Sequence, residues 1–319
     1  MMTRRTMWLL VLVVSCGVFS RGGIARGEEN ELARLVWGAK RLVFLGDSIT
    51  AAGTYVTDFD AWLTAQKRPS QPMVICAGLP SETVSGLSEE GHAGGQFPRP
   101  DLAERLDRIL KETRPDLVIA CYGMNCGIYE PLDAGRFAKY QAGIRNLKSH
   151  VEQAGAKLIL VTPPFYDDLR SPRKFVYNEV LDRYAEWLLE QRKEGWQVVD
   201  LHQAMTAEVA RRRKTDPAFT LQPDGVHPNE AGHWFVASRL IAALGDSRSA
   251  EAGSPAEMLQ QAGVSAEILP LVAERTAVRR DAYVGAAGHK RPGIAKGLPI
   301  PEAEQKAAAL GEKIGNLLK

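Results

Sequence analysis

The sequence predicts a doubly wound α/β domain built on a parallel sheet. Short apolar runs bounded by turn signals recur along the chain, amphipathic stretches lie between them, and polar residues able to do chemistry stand at the carboxyl ends of the runs. The runs are Leu42 to Leu45, Met73 to Cys76, Leu117 to Cys121, Leu158 to Val161 and Val198 to Leu201. They are continuous rather than alternating, as expected of parallel strands covered on both faces.

The intervening stretches follow helical spacing. From Asp101 to Glu112, Leu102, Leu106, Ile109 and Leu110 mark one face, and from Phe137 to Gln153 the face is Phe137, Tyr140, Ile144, Leu147 and Val151. In such sheets ligands gather beyond the carboxyl ends of the strands, where Ser48, Ser81, Asn125 and Thr162 emerge. A helix is expected to begin near Asn229 and Glu230. Beyond residue 245 a Ser/Gly/Ala linker, Asp246 to Pro255, leads to helical segments at Glu257 to Gln261, Ile268 to Tyr283 and Glu302 to Leu318. The expected division is a main domain over 28–245 and a linker with a C-terminal helical extension over 246–319.

The first 27 residues read as a signal peptide: Arg4 and Arg5, an apolar run from Met7 to Val14, then small and polar residues to Ala25-Arg26-Gly27. That run falls short of the roughly 20 residues a membrane span needs, so cleavage after Gly27 and export to the periplasm or exterior are expected, with no integral span in the mature chain. Lipid attachment at Cys16 is the competing reading. The leader holds four arginines and no acids, so its removal takes the formal charge from +2 to −2. The apparent basicity belongs to the leader, and no basic stretch is interleaved with stacking aromatics, so nucleic acid is not an expected partner.

With 319 residues, 45% hydrophobic and 24% charged, the chain can bury a substantial core. The cysteines beyond the leader, Cys76, Cys121 and Cys126, are too few for a disulfide scaffold and lack zinc-site spacing, so buried thiols are expected. A bridge from Cys126 to Cys76 or Cys121 is the alternative.

The chemistry concentrates at Gly46-Asp47-Ser48-Ile49-Thr50 and, far downstream, Asp224-Gly225-Val226-His227-Pro228. A serine hydroxyl is a weak nucleophile at neutral pH; acyl transfer needs an imidazole to take its proton and an acid to hold the imidazole's tautomer. His227 and Asp224 suit those two jobs from a Pro/Gly/Asn-rich loop. Asp47 is read as a turn-shaping residue that bonds local backbone amides.

With Gly123-Met124-Asn125 between them, these blocks make the chain resemble the SGNH, or GDSL, hydrolase family. The resemblance implies a flavodoxin-like three-layer α/β/α fold with a five-stranded parallel sheet. It also implies that Ser48 is the nucleophile, His227 the base and Asp224 its partner. The oxyanion donors would be Ser48, Ser81 and Asn125, with Gly78 as a motif glycine. The chain departs from the family pattern at Ser81, where a glycine usually precedes the acidic-Thr pair Glu82-Thr83, and at Cys126, where many relatives carry Asp. Neither a metal nor an organic cofactor is required.

The expected activity is that of an exported serine esterase on a small-molecule or glycan ester, with short acyl groups on carbohydrates preferred by analogy. A lipase, lysophospholipase, thioesterase or sugar O-acetyltransferase would use the same residues, and a glycan-binding module with a spent site is the reading from another class. The oligomeric state is left open. Around the site, Ser85 to Pro100 is either a substrate lid or an unstructured excursion, the aromatics of Thr162-Pro163-Pro164-Phe165-Tyr166 a substrate platform or part of a rigid turn, and the basic loop Gly288 to Gly297 an anion clamp or a solvated loop. His92, in its Gly-rich loop, is placed to border the cleft; His150 is expected to end a helix, His202 to end a strand and His233 to pack on the sheet.

Overall fold

The computed structural model describes residues 30–294 and 296–319. The expected leader, its cleavage after Gly27 and Cys16 lie outside the described residues. Among the described residues, β1 (Arg41–Gly46), β2 (Met73–Cys76), β3 (Leu117–Cys121), β4 (Lys157–Val161) and β5 (Gln197–Val199) form one sheet in the order β2-β1-β3-β4-β5, with every neighbouring pair parallel. The expected fold class is the observed one. Leu42, Val43, Phe44 and Leu45 of the interior strand β1 are fully buried, which accounts for the unbroken apolar run.

The helices in chain order are α1 (Glu31–Gly38), α2 (Ser48–Ala51), α3 (Thr54–Ala65), α4 (Leu106–Thr113), α5 (Ala134–Gln153) and α6 (Asn178–Glu190). They continue with α7 (His202–Arg213), α8 (Glu230–Ala243), α9 (Ser247–Ala250), α10 (Pro255–Gln261), α11 (Ile268–Ala287) and α12 (Ile300–Leu317). Right-handed crossovers place α3 on one face, where α8 joins it. They place α4, α5 and α6 on the other, because the chain reverses direction across the sheet after β2.

Two expectations are corrected. The last strand ends at Val199 rather than Leu201, because the N–H groups of Leu201 and His202 leave the ladder and donate to Thr162 Oγ1 at 2.8 and 2.9 Å. His202 therefore begins α7 instead of ending a strand. Nor is the stretch from Asp246 to Pro255 a free linker. The Asp246 carboxylate caps α9 through Ser249 N–H and accepts the Trp62 indole N–H at 2.8 Å, while the Trp234 indole donates to Ala252 O at 2.6 Å.

The C-terminal helices complete the sheet rather than hang from it. α11 packs against the edge strand β2 and against α3 and α4, which flank that edge on opposite faces, and α12 packs on α11. An uncovered edge strand presents unpaired backbone groups, and a helix laid over it removes that hazard. Side chains fasten the cover: Arg275 pairs with Asp60 at 2.9 Å, Arg41 Nη2 donates to the Tyr283 hydroxyl at 2.9 Å, and Arg108 Nε donates to Ala287 O at 2.6 Å.

Candidate active site

Ser48 opens α2 one residue beyond a buried Asp47, whose Oδ1 accepts the Ile49 N–H at 3.0 Å. That bond tightens the turn by which the chain leaves β1, as the sequence suggested for Asp47. The turn is close-packed at glycine positions. A Cβ at Gly46 would lie 2.0 Å from Thr50 Oγ1, and one at Gly78 would lie 2.3 Å from Ala51 N, so the exit of β2 runs directly against the Ser48 turn.

The structure brings the three widely separated residues together. Ser48 Oγ lies 2.9 Å from His227 Nε2, and His227 Nδ1 lies 2.7 Å from Asp224 Oδ2. An ionised carboxylate can only accept, so Nδ1 carries the proton and Nε2 is left to accept from the Ser48 hydroxyl. The three-residue spacing works because Asp224 folds back on its own loop, its Oδ1 accepting the N–H groups of Val226 at 2.9 Å and His227 at 2.7 Å. Burial alone would raise the Asp224 pKa, but these donors outweigh it and hold the carboxyl below its ordinary value. The loop is anchored by the buried Asp167, whose N–H donates to Gly225 O at 2.9 Å and whose carboxylate binds Arg213 and Thr220, each at 2.6 Å.

The side chains of His227 and Asp224 are about half exposed, at 51% and 57%, so the site opens to solvent. The Ser48 and Ser81 N–H groups meet no acceptor among the described residues. Asn125 is buried after β3; one hydrogen of its amide reaches Glu82 O at 3.3 Å and the other is left to donate. The Glu82 carbonyl can only accept, which fixes which end of the amide carries the donors, and Asn125 Oδ1 then accepts from the Tyr129 hydroxyl at 3.0 Å. Tyr129, which sequence reasoning did not single out, stands at φ 56° beside Ile128 at φ 50°, a strained turn for two residues with side chains. Ser81 itself sits at φ 69°, in the left-handed region that explains the usual glycine. Cys126, together with Cys76 and Cys121, is a buried thiol.

Beneath these donors lies a buried ion pair that was also missed. Arg105 grips Glu82 through Nε at 2.6 Å and Nη2 at 2.7 Å, and the same Nη2 reaches Ala77 O at 2.8 Å. The Tyr122 hydroxyl adds a third donor to Glu82 at 2.6 Å, and both charged side chains are at most 1% exposed. Burial works against the Arg105 charge, yet the Glu82 carboxylate raises the guanidinium pKa on balance. A signal was present in the sequence: Arg105 lies on the apolar face between Leu102 and Ile109, at offsets of three and four.

Other expectations resolve against the geometry. Tyr166 is not a platform, because its ring is fully buried and its hydroxyl donates to Ser171 O at 2.8 Å. The stretch from Ser85 to Pro100 is closed at its base, where Thr83 N–H donates to Pro100 O and Leu102 N–H to Thr83 O, each at 2.9 Å. Inside it Arg99 pairs with Glu89 at 2.6 Å, and Glu89 also meets His92 at 3.2 Å. His150 pairs with Asp107 at 2.5 Å, and His202 is buried against Asp182 at 2.7 Å. His233 stacks on Tyr55, and burial drops its pKa to about 4, so it is neutral at physiological pH. Among the described residues no group of three or more His, Cys, Asp or Glu is placed to hold a metal, and no helix is long and apolar enough to cross a membrane.

Residues 44–235 match the family described as GDSL-like Lipase/Acylhydrolase. No curated protein sequence matches the chain significantly. Among solved structures, LAE5, an alpha/beta hydrolase enzyme from the metagenome of Lake Arreo, Spain, is 25% identical with a TM-score of 0.51, covering 65% of this chain and 95% of its own. The acetyl xylan esterase AlAXEase is 19% identical with a TM-score of 0.52, covering 64% and 98%. A gut microbial diltiazem-metabolizing enzyme is 22% identical with a TM-score of 0.50, covering 65% of this chain; the match spans 47% of that longer protein, about half its length. At these identities the last two likenesses establish the fold.

Two predictions follow from the polar core of the site. Glu82→Gln leaves the Arg105 guanidinium buried without its counter-ion and should cost about 3–5 kcal/mol in urea unfolding, whereas the paired change Glu82→Leu with Arg105→Met should recover much of that loss. At Asp47, burial lifts the carboxyl from 3.8 to about 6 against the opposing pull of Ile49 N–H and His227. Folding thus takes up a proton there, and the resulting stability, complete below about pH 4, is lost as pH rises through about 6. Asp47→Asn keeps an acceptor for Ile49 and removes the titration, so its stability relative to wild type should rise by on the order of 2 kcal/mol between pH 4 and pH 7. A pH-independent difference between the two proteins would contradict the assignment.

Proposed function

The chain belongs to the GDSL-like lipase/acylhydrolase family and is an ester-bond hydrolase; from that premise we propose that it works through Ser48, His227 and Asp224. The observation that carries the reading is the continuous relay from Ser48 Oγ to His227 at 2.9 Å and on to Asp224 at 2.7 Å. Ser48 Oγ attacks the ester carbonyl while its proton passes to His227 Nε2. The tetrahedral intermediate places negative charge on the former carbonyl oxygen, toward the N–H groups of Ser48 and Ser81 and the free amide hydrogen of Asn125. Collapse expels the alcohol, which takes the proton back from His227 and leaves an acyl group on Ser48. Water, activated by the same imidazole, then releases the acid. Asp224 stabilises the imidazolium that forms in each half-reaction.

For the substrate we propose short acyl groups, acetyl foremost, on carbohydrates. The half-exposed His227 and Asp224 support this, because a site open on that side admits a bulky polar alcohol such as a glycan. An acetyl xylan esterase also shares the fold. Export follows from the leader over residues 1–27, with its basic start and short apolar run.

Fluorophosphonate should label Ser48 in the mature protein, and Ser48→Ala should abolish labelling and lower kcat by about 10⁴- to 10⁶-fold. Acetylated xylan should be turned over faster than long-chain esters; the reverse order would favour a lipase. Asn125→Ala should lower kcat by about 10²- to 10³-fold with KM little changed. Tyr129→Phe leaves Asn125 in place but removes one of the two bonds that hold its amide, so a smaller fall in kcat at constant KM is expected.

A further inference from the structure

The Ser81 donor stands in a conformation that a side chain disfavours, at φ 69°, and a residue held there persists only when its surroundings over-determine it. Two guanidinium groups supply that restraint. Arg99 Nη1 donates to Ser81 O at 3.4 Å, and Arg291 Nε, from the loop after α11, donates to Pro80 O at 3.1 Å. Arg291 is itself held in place: its guanidinium lies over the Phe97 ring at 5.3 Å, and its Nη1 donates to Pro292 O at 2.6 Å. The loop it stands on folds back tightly onto α11, where a Cβ at Gly297 would lie 2.2 Å from the Asp281 carbonyl carbon.

The Pro80 carbonyl and the Ser81 N–H are two ends of one planar peptide unit. A charged donor on the oxygen therefore sets the direction in which the N–H points and polarises it, as hydrogen bonds in a chain strengthen one another. This restraint matters here because the peptide is not backed by a packed wall. A cavity of about 310 Å³, lined in part by Gly78, Leu79, Pro80, Val284 and Ile294, separates the loop from α11. Across that gap Arg280 makes the corresponding link to the Ser48 turn, donating to Ala51 O at 3.0 Å.

We propose that Arg291, contributed by the C-terminal segment outside the family match, is a positioning residue that orients and strengthens the Ser81 N–H as an oxyanion donor. It thereby compensates for the serine that stands where a glycine is usual. The proposal rests on the reading of Ser48 as nucleophile and of Ser81 as a donor to the oxyanion.

The test compares wild type, Arg291→Ala and Arg291→Lys in the full mature chain, using a short-chain acetyl ester. Arg291→Ala should lower kcat about tenfold, less than the 10²- to 10³-fold expected for outright loss of a donor. KM should stay within twofold and Tm should be nearly unchanged. The rate of Ser48 labelling by fluorophosphonate should fall in parallel, and Arg291→Lys, which can still donate to Pro80 O, should recover part of the loss. A kcat within twofold of wild type would overturn the proposal, as would a loss that tracks a fall in Tm or that Lys does not relieve. Failure of the underlying reading is distinguishable, since Ser48→Ala would then keep its activity.

Discussion

The site depends on one buried interaction, the fork of Arg105 on Glu82 with the Tyr122 hydroxyl as third donor. It ties together three segments that the chain order keeps apart: the loop after β2, the start of α4 and the end of β3. The Glu82 backbone carbonyl then receives the Asn125 amide, so the same residue that anchors the Ser81 loop also aims the second donor. Such a pair is no assurance of stability, because the cost of taking both charges out of water offsets most of their attraction. Its contribution is geometric. The fork of Arg105 Nε and Nη2 matches the two oxygens of Glu82, and a shifted loop would leave a charge buried and unpaired.

The relay between Ser48, His227 and Asp224 is built on a different principle. Its imidazole and carboxylate are half exposed rather than sealed, and their geometry comes from local folding of the Asp224 loop together with the buried Asp167 beneath it. One half of the site, the donors, is thus held by a desolvated polar core, and the other by a compact turn at the surface.

The C-terminal segment joins the two themes. α11 seals the open edge of the sheet at β2, and the same helix and its following loop reach both sides of the site, through Arg280 to Ala51 and Arg291 to Pro80. A segment that covers an edge strand lies next to whatever leaves that strand's carboxyl end, and here that is the loop carrying Ser81. Edge protection and loop restraint are two results of one placement.

The strands and the amphipathic helices were legible in the sequence because burial imposes a period on the residues themselves. The Ser48, Asn125 and Asp224–His227 blocks were legible because their chemistry needs particular residue types and their order along the chain resembles that of the SGNH family. The end of β5 was not, since Thr162 diverts the Leu201 and His202 amides from forty residues away. For Tyr166 the sequence leaves platform and rigid turn both open, because an aromatic after a strand looks the same whether it faces the cleft or the core. Glu82 with Arg105, Tyr129 with Asn125, and Arg291 with Pro80 are pairings between distant positions, and charge or hydroxyl content at one position does not say which partner it will meet. The sequence by itself determined the layers of this protein and the groups that could react. Only the tertiary structure decided which polar groups meet across the loops, because hydrogen bonds and ion pairs are satisfied in space rather than along the chain.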